Sequence, residues 1–447
     1  MHVPGPPTES LSDALFAARH DEHWGWALVN GRNRVWTVAQ MGAREGYRVA
    51  VGFQRDGRLQ RLLTDAWLPP AVAQRLAHAG PLSGLAHHTS RDLHPPLVQS
   101  STARTLAREL IERTVRRPRQ LTVRDSYERM LALGADFGKW SAEVFAAHRP
   151  VSDRDAVFAY NTGAFELLRE AAARGVPSIV DQVDPAQADE AAIREEMERW
   201  PGWAQHEGRI PSAYWDRLGA EWQCATAVLV NSQWSKLAIV AAGVPVSRVI
   251  VVPLAYEPET PDALRLDEVG SGADLRVLWL GQVNLRKGFP YFVEAARLVR
   301  DERIQFTVAG PVRISARALQ TLPSNIRVDG HVSRARALAL YRTSDILVLP
   351  TLSDGFALTQ LEAMSYGLPV VATDRCGDVV EDGRNGFRVR VRDSEAVAAA
   401  LTRLASDRDE LRRMSLAAVS RAAEFTLDRY IRSVDEGLAT VCRAMAP

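Results

Sequence analysis

The stretch "DILVLPTLSDGFALTQLEAMSYGLPVVAT", residues 345–373, contains a strand, a helix and a second strand in close succession. "DILVLP" is a continuous apolar run of the kind that forms a buried parallel strand. "TQLEAMSYG" follows as a helix, which Gly367 would end in a left-handed conformation and Pro369 would keep from continuing. "LPVVAT" then gives the second strand. Strands and helices that alternate in this way predict a parallel sheet covered by helices on both faces.

The rest of the second half repeats this alternation. The predicted strands are "LRVLWLG" (275–281), "IQFTVAG" (304–310), "IRVDG" (326–330) and "NGFRVRV" (385–391). The predicted helices are "PYFVEAARLVR" (290–300) and "ARALALYRTS" (335–344). After the last of these strands, the apolar spacing predicts helix through "YIRSVDEGLATVCRAM" (430–445).

The first half shows the same alternation of strands and helices less clearly. "VWTVAQMGAREG" (35–46) reads as a helix and "YRVAVGF" (47–53) as a strand. "DAVFAYN", "TGAFELLREAAARG" and "VPSIVDQ" (155–182) form a strand-helix-strand unit. "AVLVNS" (227–232) and "VIVVPLAY" (249–256) are further strands, with the helix "QWSKLAIVAAG" (233–243) between them.

A segment rich in proline, glycine and acids, "EPETPDALRLDEVGSGADL" (257–275), separates the two halves and has the composition of a linker. A chain of 447 residues also exceeds what one hydrophobic core usually supports. We therefore predict two doubly wound α/β domains, residues 1–256 and 257–426. In such sheets ligands bind beyond the carboxyl ends of the strands, so the site should lie in the loops that follow strands.

Composition excludes several classes of protein. The net charge of +1 gives no bias toward nucleic acid. Cys224, Cys376 and Cys442 have neither a pairing pattern nor metal-ligand spacing, which suits a reducing compartment. The first residues do not resemble a secretion signal, and no apolar run approaches the ~18 residues that span a bilayer. We expect a cytoplasmic protein, at most peripheral at the inner face of the membrane.

Charged residues stand in two of the predicted loops. In "GQVNLRKGF" (281–289), Arg286 and Lys287 precede a helix N-terminus and suit a diphosphate, although they could equally be solvated loop cations. In the opening stretch, Asp354 could accept hydrogen bonds from sugar hydroxyls, and Glu362 could reach a ribose diol. The alternative for this pair is a helix N-cap and a surface acid. We expect the helix to begin near Ala357, leaving free N–H groups toward the cleft.

These motifs together resemble the donor domain of the family 4 retaining glycosyltransferases. That family carries the pattern E-G-F-G-L-x-x-x-E-A-M-A-x-G-x-P-V-V, and this chain reads D-G-F-A-L-T-Q-L-E-A-M-S-Y-G-L-P-V-V. "GHVSRARALALYRTSDILVLP", "CGDVVEDGRNGFRV" and "LVNSQWSKLAIVAAGVPVSRVIVVPL" follow the course of the family as well. The resemblance implies the GT-B fold, two Rossmann-like domains facing across a cleft. The last helix, about 427–447, is expected to cross back to the N-terminal domain.

The resemblance also implies roles for individual residues. Glu362 would bind the ribose of a nucleotide-diphosphate sugar, Asp354 would contact the transferred sugar, and Arg286 with Lys287 would neutralise the diphosphate. The further donor contacts would be Gly281, Gln282, Gly310, His331, Val332, Gly355, Phe356, Ala357 and Leu358. The reaction would retain anomeric configuration, need neither a metal nor another cofactor, and transfer the sugar to an acceptor hydroxyl. The acceptor, whether a glycan, a lipid-linked sugar or a small molecule, is not specified.

The chain departs from the family at three places. Asp354 replaces the commoner glutamate. Gln282 replaces an arginine of the family, and we assign the role of that arginine to Arg286. Where the family often has His-Asp after a first-domain strand, this chain has Val183-Asp184. Asp181 and Asp184, with Asn231, are candidates for the acceptor or donor-sugar side, although either aspartate could instead cap the following helix.

The first ~150 residues are the least informative. His87, His88 and His94 suggest a metal site or, alternatively, solvated loop histidines. Seven arginines in Arg104–Arg124 suggest an anionic acceptor, a membrane surface or a solvated helix face. Two other classes of function remain open: an enzyme resembling nucleotide-sugar epimerases, and a non-catalytic nucleotide-sugar sensor.

Overall fold

The computed structural model describes residues 34–76, 86–107, 122–148, 151–205, 208–258, 274–301 and 303–445. The strands of the first sheet are β1 (Val35–Gln40), β2 (Leu59–Thr64), β3 (Val98–Ser100), β4 (Asp155–Tyr160), β5 (Ser178–Asp181), β6 (Ala227–Val230) and β7 (Val249–Val251). Those of the second sheet are β8 (Leu275–Leu280), β9 (Ile304–Ala309), β10 (Ile326–Gly330), β11 (Ile346–Leu349), β12 (Val370–Thr373) and β13 (Gly386–Val389).

Both sheets are parallel and doubly wound. Over the described residues the strand orders are β3-β2-β1-β4-β5-β6-β7 and β10-β9-β8-β11-β12-β13. In each sheet the order reverses beside the first strand, at β1/β4 and at β8/β11, and this reversal is the position where such sheets bind ligands. The α/β fold predicted from the sequence is confirmed. The boundary at residue 256 stays a prediction, because residues 259–273 lie outside the described ranges.

Helices cover both faces of each sheet. Those of the first half are α1 (Arg48–Arg55), α2 (Pro70–Leu76), α3 (Val123–Ala146), α4 (Phe165–Ala173), α5 (Gln187–Arg199), α6 (Ser212–Cys224) and α7 (Gln233–Ala241). Those of the second half are α8 (Phe289–Leu298), α9 (Ala316–Leu319), α10 (Arg334–Thr343), α11 (Thr359–Ser365), α12 (Ser394–Ser406), α13 (Arg408–Ala422) and α14 (Leu427–Met445). No helix in the described ranges is long and apolar enough to cross a membrane.

The sequence prediction for residues 35–53 is wrong, because strand and helix are reversed. Residues 35–40 form β1, and residues 48–55 form α1. The loop between them turns through left-handed backbone at Gly42, Glu45, Gly46 and Tyr47, and these residues end the strand. The valines of α1 favour a strand by intrinsic propensity, but they are buried against the sheet, and burial outweighs propensity.

The C-terminal helix α14 crosses back and packs on the first sheet. Its apolar face joins the core between β1, β4, β5 and α1. Asp435, which is buried on that face, accepts a hydrogen bond from Trp36 Nε1 at 3.2 Å and pairs with Arg58 at 2.6 Å. The last helix of the chain therefore completes the core of the first domain.

Gly288, directly before α8, adopts φ 76°, and an added Cβ would overlap the carbonyl oxygen of Pro350. Since both left-handed strain and backbone overlap disfavour a side chain here, we expect Gly288→Ala to lower the free energy of unfolding by about 2 kcal/mol or more. Gly383 has φ 73° but open space around it, so Gly383→Ala measures the conformational part alone. Denaturant unfolding of both variants checks this, and equal losses would show that the overlap with Pro350 has no effect.

Candidate active site

The loop after β8, residues 281–288, directs two cations toward the end of β11. The side-chain oxygen of Asn284 accepts a hydrogen bond from the backbone N–H of Lys287 at 2.9 Å, which fixes the turn. Arg286 donates from Nη1 to the carbonyl oxygen of Ser353 at 2.8 Å. The loop after β8 is thereby bound to the loop after β11, as neighbouring strands of one sheet allow.

Lys287 forms an ion pair with Asp354, the first acid of the opening stretch, and both side chains are mostly buried. Burial alone would raise the pKa of the Asp354 carboxyl, but Lys287 and Arg286 outweigh it and hold that pKa below its usual value. Asp354 also accepts a hydrogen bond from the backbone N–H of Phe356. The carboxylate is therefore ionised and held in place at neutral pH.

Arg286 is paired in turn with Asp189, which lies in the first turn of α5 in the first domain. Their charged atoms are 3.2 Å apart. Burial raises the pKa of Asp189 to about 6, although Arg286 acts in the opposite direction. Each cation of the predicted diphosphate site thus already has a carboxylate partner, one from each domain. The sequence analysis missed Asp189, since nothing in the local pattern of α5 marks it.

Glu362, the second acid, is oriented by two side chains of α10. Arg334 donates to Oε1 and the Tyr341 hydroxyl donates to Oε2, both at 2.8 Å. Each carboxylate oxygen retains a second lone pair, so Glu362 can still accept from a ligand hydroxyl. Sequence reasoning missed Arg334 and Tyr341, although both lie in the predicted helix "ARALALYRTS" or directly before it.

The loop from residue 354 to 358 differs in part from its prediction. Helix α11 begins at Thr359, two residues later than expected, and no side chain caps it at Leu358. The side chain of Phe356 is buried in the core against Phe425, so only its backbone could face a ligand. Ala357 adopts φ 59°, a left-handed conformation that glycine adopts more readily than alanine.

The remaining predicted donor contacts lie in loops at the same edge of the second sheet. A Cβ added at Gly310 would overlap the carbonyl oxygen of Gly281, whereas the space around Gly281 itself is open. Gln282 and His331 are exposed, and Val332 is half-buried. The structure brings these residues to the carboxyl ends of β8, β9 and β10, where the sequence analysis placed them.

The first-domain candidates separate into two groups. Asp184 accepts hydrogen bonds from the Ala186 N–H and from Gln182 Nε2, both at 2.9 Å, so it stabilises the turn before α5 without capping the helix, whose N-cap Ala186 has no side-chain cap bond. Asn231 donates to the carbonyl oxygen of Val183 at 3.1 Å and packs on Gly355. Asp184 and Asn231 therefore shape the wall of the cleft.

Asp181 lies apart from this wall. It ends β5 on the face covered by α14 and is almost fully inaccessible to solvent. Burial raises the pKa of the Asp181 carboxyl well above its usual value. This aspartate does not cap α5, and the alternative that placed it there is wrong.

The histidines and the arginine-rich segment of the first ~150 residues gain no support as sites. Within the described ranges no group of three or more residues could hold a metal ion. The three histidines His87, His88 and His94 do not form such a group. Most of Arg104–Arg124 lies outside those ranges.

A buried contact holds the two domains together beside the site. Glu196 of α5 has no exposed surface. It accepts from the Tyr291 hydroxyl and from Arg392 Nε, both at 2.6 Å. We call this cluster of Glu196, Tyr291 and Arg392 the interdomain latch. Because α5 carries both Asp189 and Glu196, one helix of the first domain contacts the second domain at the site and at the latch.

Part of the chain is similar in sequence to known glycosyltransferases. Residues 274–407 match the family model described as "Glycosyl transferases group 1". The chain is 42% identical over 93 residues to a D-inositol 3-phosphate glycosyltransferase of Nocardia farcinica, covering 20% of this chain and 21% of the relative. It is 24% identical over 195 residues to the amylovoran biosynthesis glycosyltransferase AmsK of Erwinia amylovora, covering 40% and 47%. The matched part is thus less than half the length of either relative.

The fold extends further than the sequence similarity. The crystal structure of Anabaena Alr3699/HepE in complex with UDP superposes with a TM-score of 0.55 at 15% identity, covering 90% of this chain and 98% of that one. Residues 274–407 thus carry the sequence pattern of the glycosyl transferases group 1 family, on a chain whose two sheets have the GT-B fold.

Proposed function

We propose that the protein is a retaining glycosyltransferase, which moves a sugar from a nucleotide-diphosphate sugar to an acceptor hydroxyl. The observation that supports this most directly is the arrangement of Arg286, Lys287, Asp354 and Glu362. All four follow β8 or β11, and all lie in the segment that matches the group 1 family. Two cations and two acids at one sheet edge suit a ligand with a diphosphate between two polyhydroxylated ends.

In the proposed complex the diphosphate takes over the cations from their carboxylates. Arg286 exchanges Asp189 for phosphate oxygens, and Lys287 turns from Asp354 toward the leaving group. Asp354 is then free to accept from hydroxyls of the transferred sugar. Glu362, already oriented by Arg334 and Tyr341, accepts from the ribose.

The chemistry of the step follows from these positions. As the glycosidic bond breaks, charge builds on the departing phosphate, and preorganised cations stabilise it. The sugar gains oxocarbenium character. The acceptor hydroxyl attacks from the face that the leaving group occupies, and its proton passes to an oxygen of the departing phosphate as the new glycosidic bond forms. Because Arg286 and Lys287 supply the positive charge, the proposal includes no metal and no further cofactor. Turnover that is unchanged by a chelator is the expected result.

Binding and turnover test the proposal separately. A melting-temperature panel of UDP, GDP, ADP, CDP and TDP should show stabilisation by one nucleotide, since a ligand that binds the native state raises its melting temperature. UDP is the first choice, because a structural neighbour was solved with it. Release of the nucleotide from its sugar distinguishes an enzyme from a sensor, and a product of the donor's anomeric configuration distinguishes retention from inversion. An epimerase-like enzyme would instead change the sugar without releasing nucleotide.

The Asp189–Arg286 pair predicts a pH dependence of donor affinity. Above a pH of about 6 Asp189 is ionised and competes with the diphosphate for Arg286, so affinity should rise as the pH falls through that value. Asp189→Asn should bind the donor about fivefold more tightly at pH ~7.5 and lose this pH dependence. Titration calorimetry with an intact nucleotide sugar is the measurement, because the terminal phosphate of a free nucleotide itself titrates near pH ~6.

The groups around Asp189 make this test specific. Asp354 and Ser353 face it from the second domain, and Asp184 and Tyr127 face it from the first. Glu190→Gln, at the next position of α5, is the matched control and should keep the native pH profile. A profile unchanged by Asp189→Asn would show that the carboxylate does not compete for Arg286.

A further inference from the structure

Three strands of the first sheet end in polar side chains that lie side by side. Gln40 ends β1, Tyr160 ends β4 and Asp181 ends β5. Tyr160 is the register partner of Asp181, and the pairing of Ala39 with Ala159 places Gln40 beside Tyr160. Side chains alternate along a strand, and the residues two positions earlier on all three strands share one core cluster, so the three point to the same face. We call them the polar row.

Two other elements close over the polar row. Tyr430 of α14 belongs to the same core cluster and interacts electrostatically with Asp181. Glu45, in the left-handed loop after β1, interacts with Tyr160, Asp181 and Tyr430. The row is therefore enclosed between the sheet, the C-terminal helix and the loop before α1.

The oxygens of this enclosure lack partners within the described part of the chain. The side chains of Gln40, Tyr160, Asp181 and Tyr430 are 0%, 3%, 1% and 4% exposed. Neither Asp181 oxygen, nor Gln40 Oε1, nor either tyrosine hydroxyl has a hydrogen-bond partner among the described residues. Buried polar atoms are nearly always bonded in folded proteins, so five such oxygens in one place indicate a position for a polar ligand.

The orientation of Gln40 shows which chemistry is missing. Its Nε2 donates to the carbonyl oxygens of Gly42 at 3.0 Å and Arg44 at 2.8 Å, so Oε1 must be the atom that faces the row. Gln40 Oε1 can only accept, and Asp181, whose raised pKa favours the protonated form, keeps acceptor lone pairs beside a single O–H donor. A ligand that satisfies them must bring hydrogen-bond donors, such as hydroxyl or ammonium groups.

The charged groups around the polar row favour the same kind of ligand. Asp181 is buried and Glu45 lies beside it, and burial raises the pKa of both carboxyls. Arg44, on the loop with Glu45, is the nearby cation that partly offsets them. The burial that disfavours the ionised form of these carboxyls would equally disfavour a phosphate or carboxylate on the ligand. An uncharged polyol carries no such cost, and an amine can pair with the two carboxyls.

The polar row is also close to the proposed sugar site. Asp181 is two residues before Val183, whose carbonyl oxygen packs directly on Gly355 beside Asp354. Two residues of chain span at most about 7 Å, so Asp181 and Val183 lie close together. Building on the proposed function, we propose that the polar row and Tyr430 form the acceptor subsite, and that it takes an uncharged or amine-bearing polyol rather than a phosphorylated or carboxylated one.

Matched acceptors test this inference on the full-length protein. Nucleotide release from the glucose derivative of the nucleotide selected by the melting panel is measured with D-glucose, D-glucosamine and myo-inositol, and then with glucose 6-phosphate, glucuronate and D-inositol 3-phosphate. We expect saturable stimulation by at least one member of the first set and none by the second. Stimulation by the second set, or by neither set in a protein that binds the nucleotide, would overturn the inference while leaving the donor assignment intact.

Variants then connect the effect to the polar row. Asp181→Asn and Tyr160→Phe should each raise the acceptor KM about tenfold or more and leave nucleotide affinity unchanged, because each alters a hydrogen-bonding oxygen that only the acceptor uses. Asp155→Asn is the matched control, a buried aspartate at the opposite end of β4 whose side chain accepts from the Ser152 N–H. Equal acceptor KM values for Asp181→Asn, Tyr160→Phe and Asp155→Asn would refute the placement. Failure of every protein to bind nucleotide would instead refute the proposed function.

Discussion

Replacing Lys287 with alanine is expected to slow nucleotide release from the donor about a hundredfold or more, because the cation nearest the developing phosphate charge is lost. Lys287 is well placed for this role, since its turn is fixed by Asn284 and its side chain is mostly buried. Steady-state release of the nucleotide under saturating donor is the measurement. Lys139→Ala, on the exposed face of α3, is the control and should keep native turnover.

The Lys287 variant also leaves Asp354 without its main counter-ion, and an unpaired buried carboxylate destabilises the fold. The double variant Lys287→Ala/Asp354→Asn removes both charges and should recover most of any loss in melting temperature. It should not recover turnover. If the double variant regained activity along with stability, the defect of Lys287→Ala would be one of folding, and Lys287 would have no part in the chemistry.

Replacing Glu362 with alanine is expected to weaken nucleotide binding about tenfold or more, the usual loss for a hydrogen bond to a charged group. Arg334 and Tyr341 hold the carboxylate in one orientation, so little conformational freedom is lost when the ribose binds. Tyr341→Phe should therefore have a smaller effect in the same direction. Titration calorimetry with the nucleotide that stabilises the protein gives both values.

A second ligand makes the Glu362 prediction specific for the ribose. The native protein should bind the 2′-deoxy form of the same nucleotide more weakly than the ribose form. The Glu362→Ala variant should bind the two forms equally, because the group that distinguishes them is gone. A variant that still prefers the ribose form would mean that another residue binds the 2′-hydroxyl.

The sequence predicted the second domain better than the first, and the reason is physical. In "DILVLP" and "LRVLWLG" each strand is an uninterrupted apolar run, which only burial on both faces explains. In residues 35–53 both the strand and the helix are rich in buried valine and alanine, so the apolar pattern fits either assignment. The left-handed residues Glu45 and Tyr47 decide between them, and neither residue type signals that conformation.

For the site, the sequence located the charged groups but not their partners. Asp354 and Lys287 were found because each lies in a recognisable loop. The contacts of Asp189 with Arg286, and of Arg334 and Tyr341 with Glu362, join segments that are far apart in the chain and appear only once the sheets assemble. For Asp181, the sequence offered the acceptor side as one alternative but not its neighbours Gln40 and Tyr430, which lie far from it in the chain.

The return of α14 to the first domain has a consequence for how the protein is made. The ribosome finishes the first sheet at β7 and releases the helix that covers it roughly 170 residues later. At ~5–20 residues per second, the apolar face that Leu427, Ile431 and Val434 will cover stays open for about 10–30 s. During this interval the nascent first domain exposes an apolar surface that chaperones can bind, until α14 covers it.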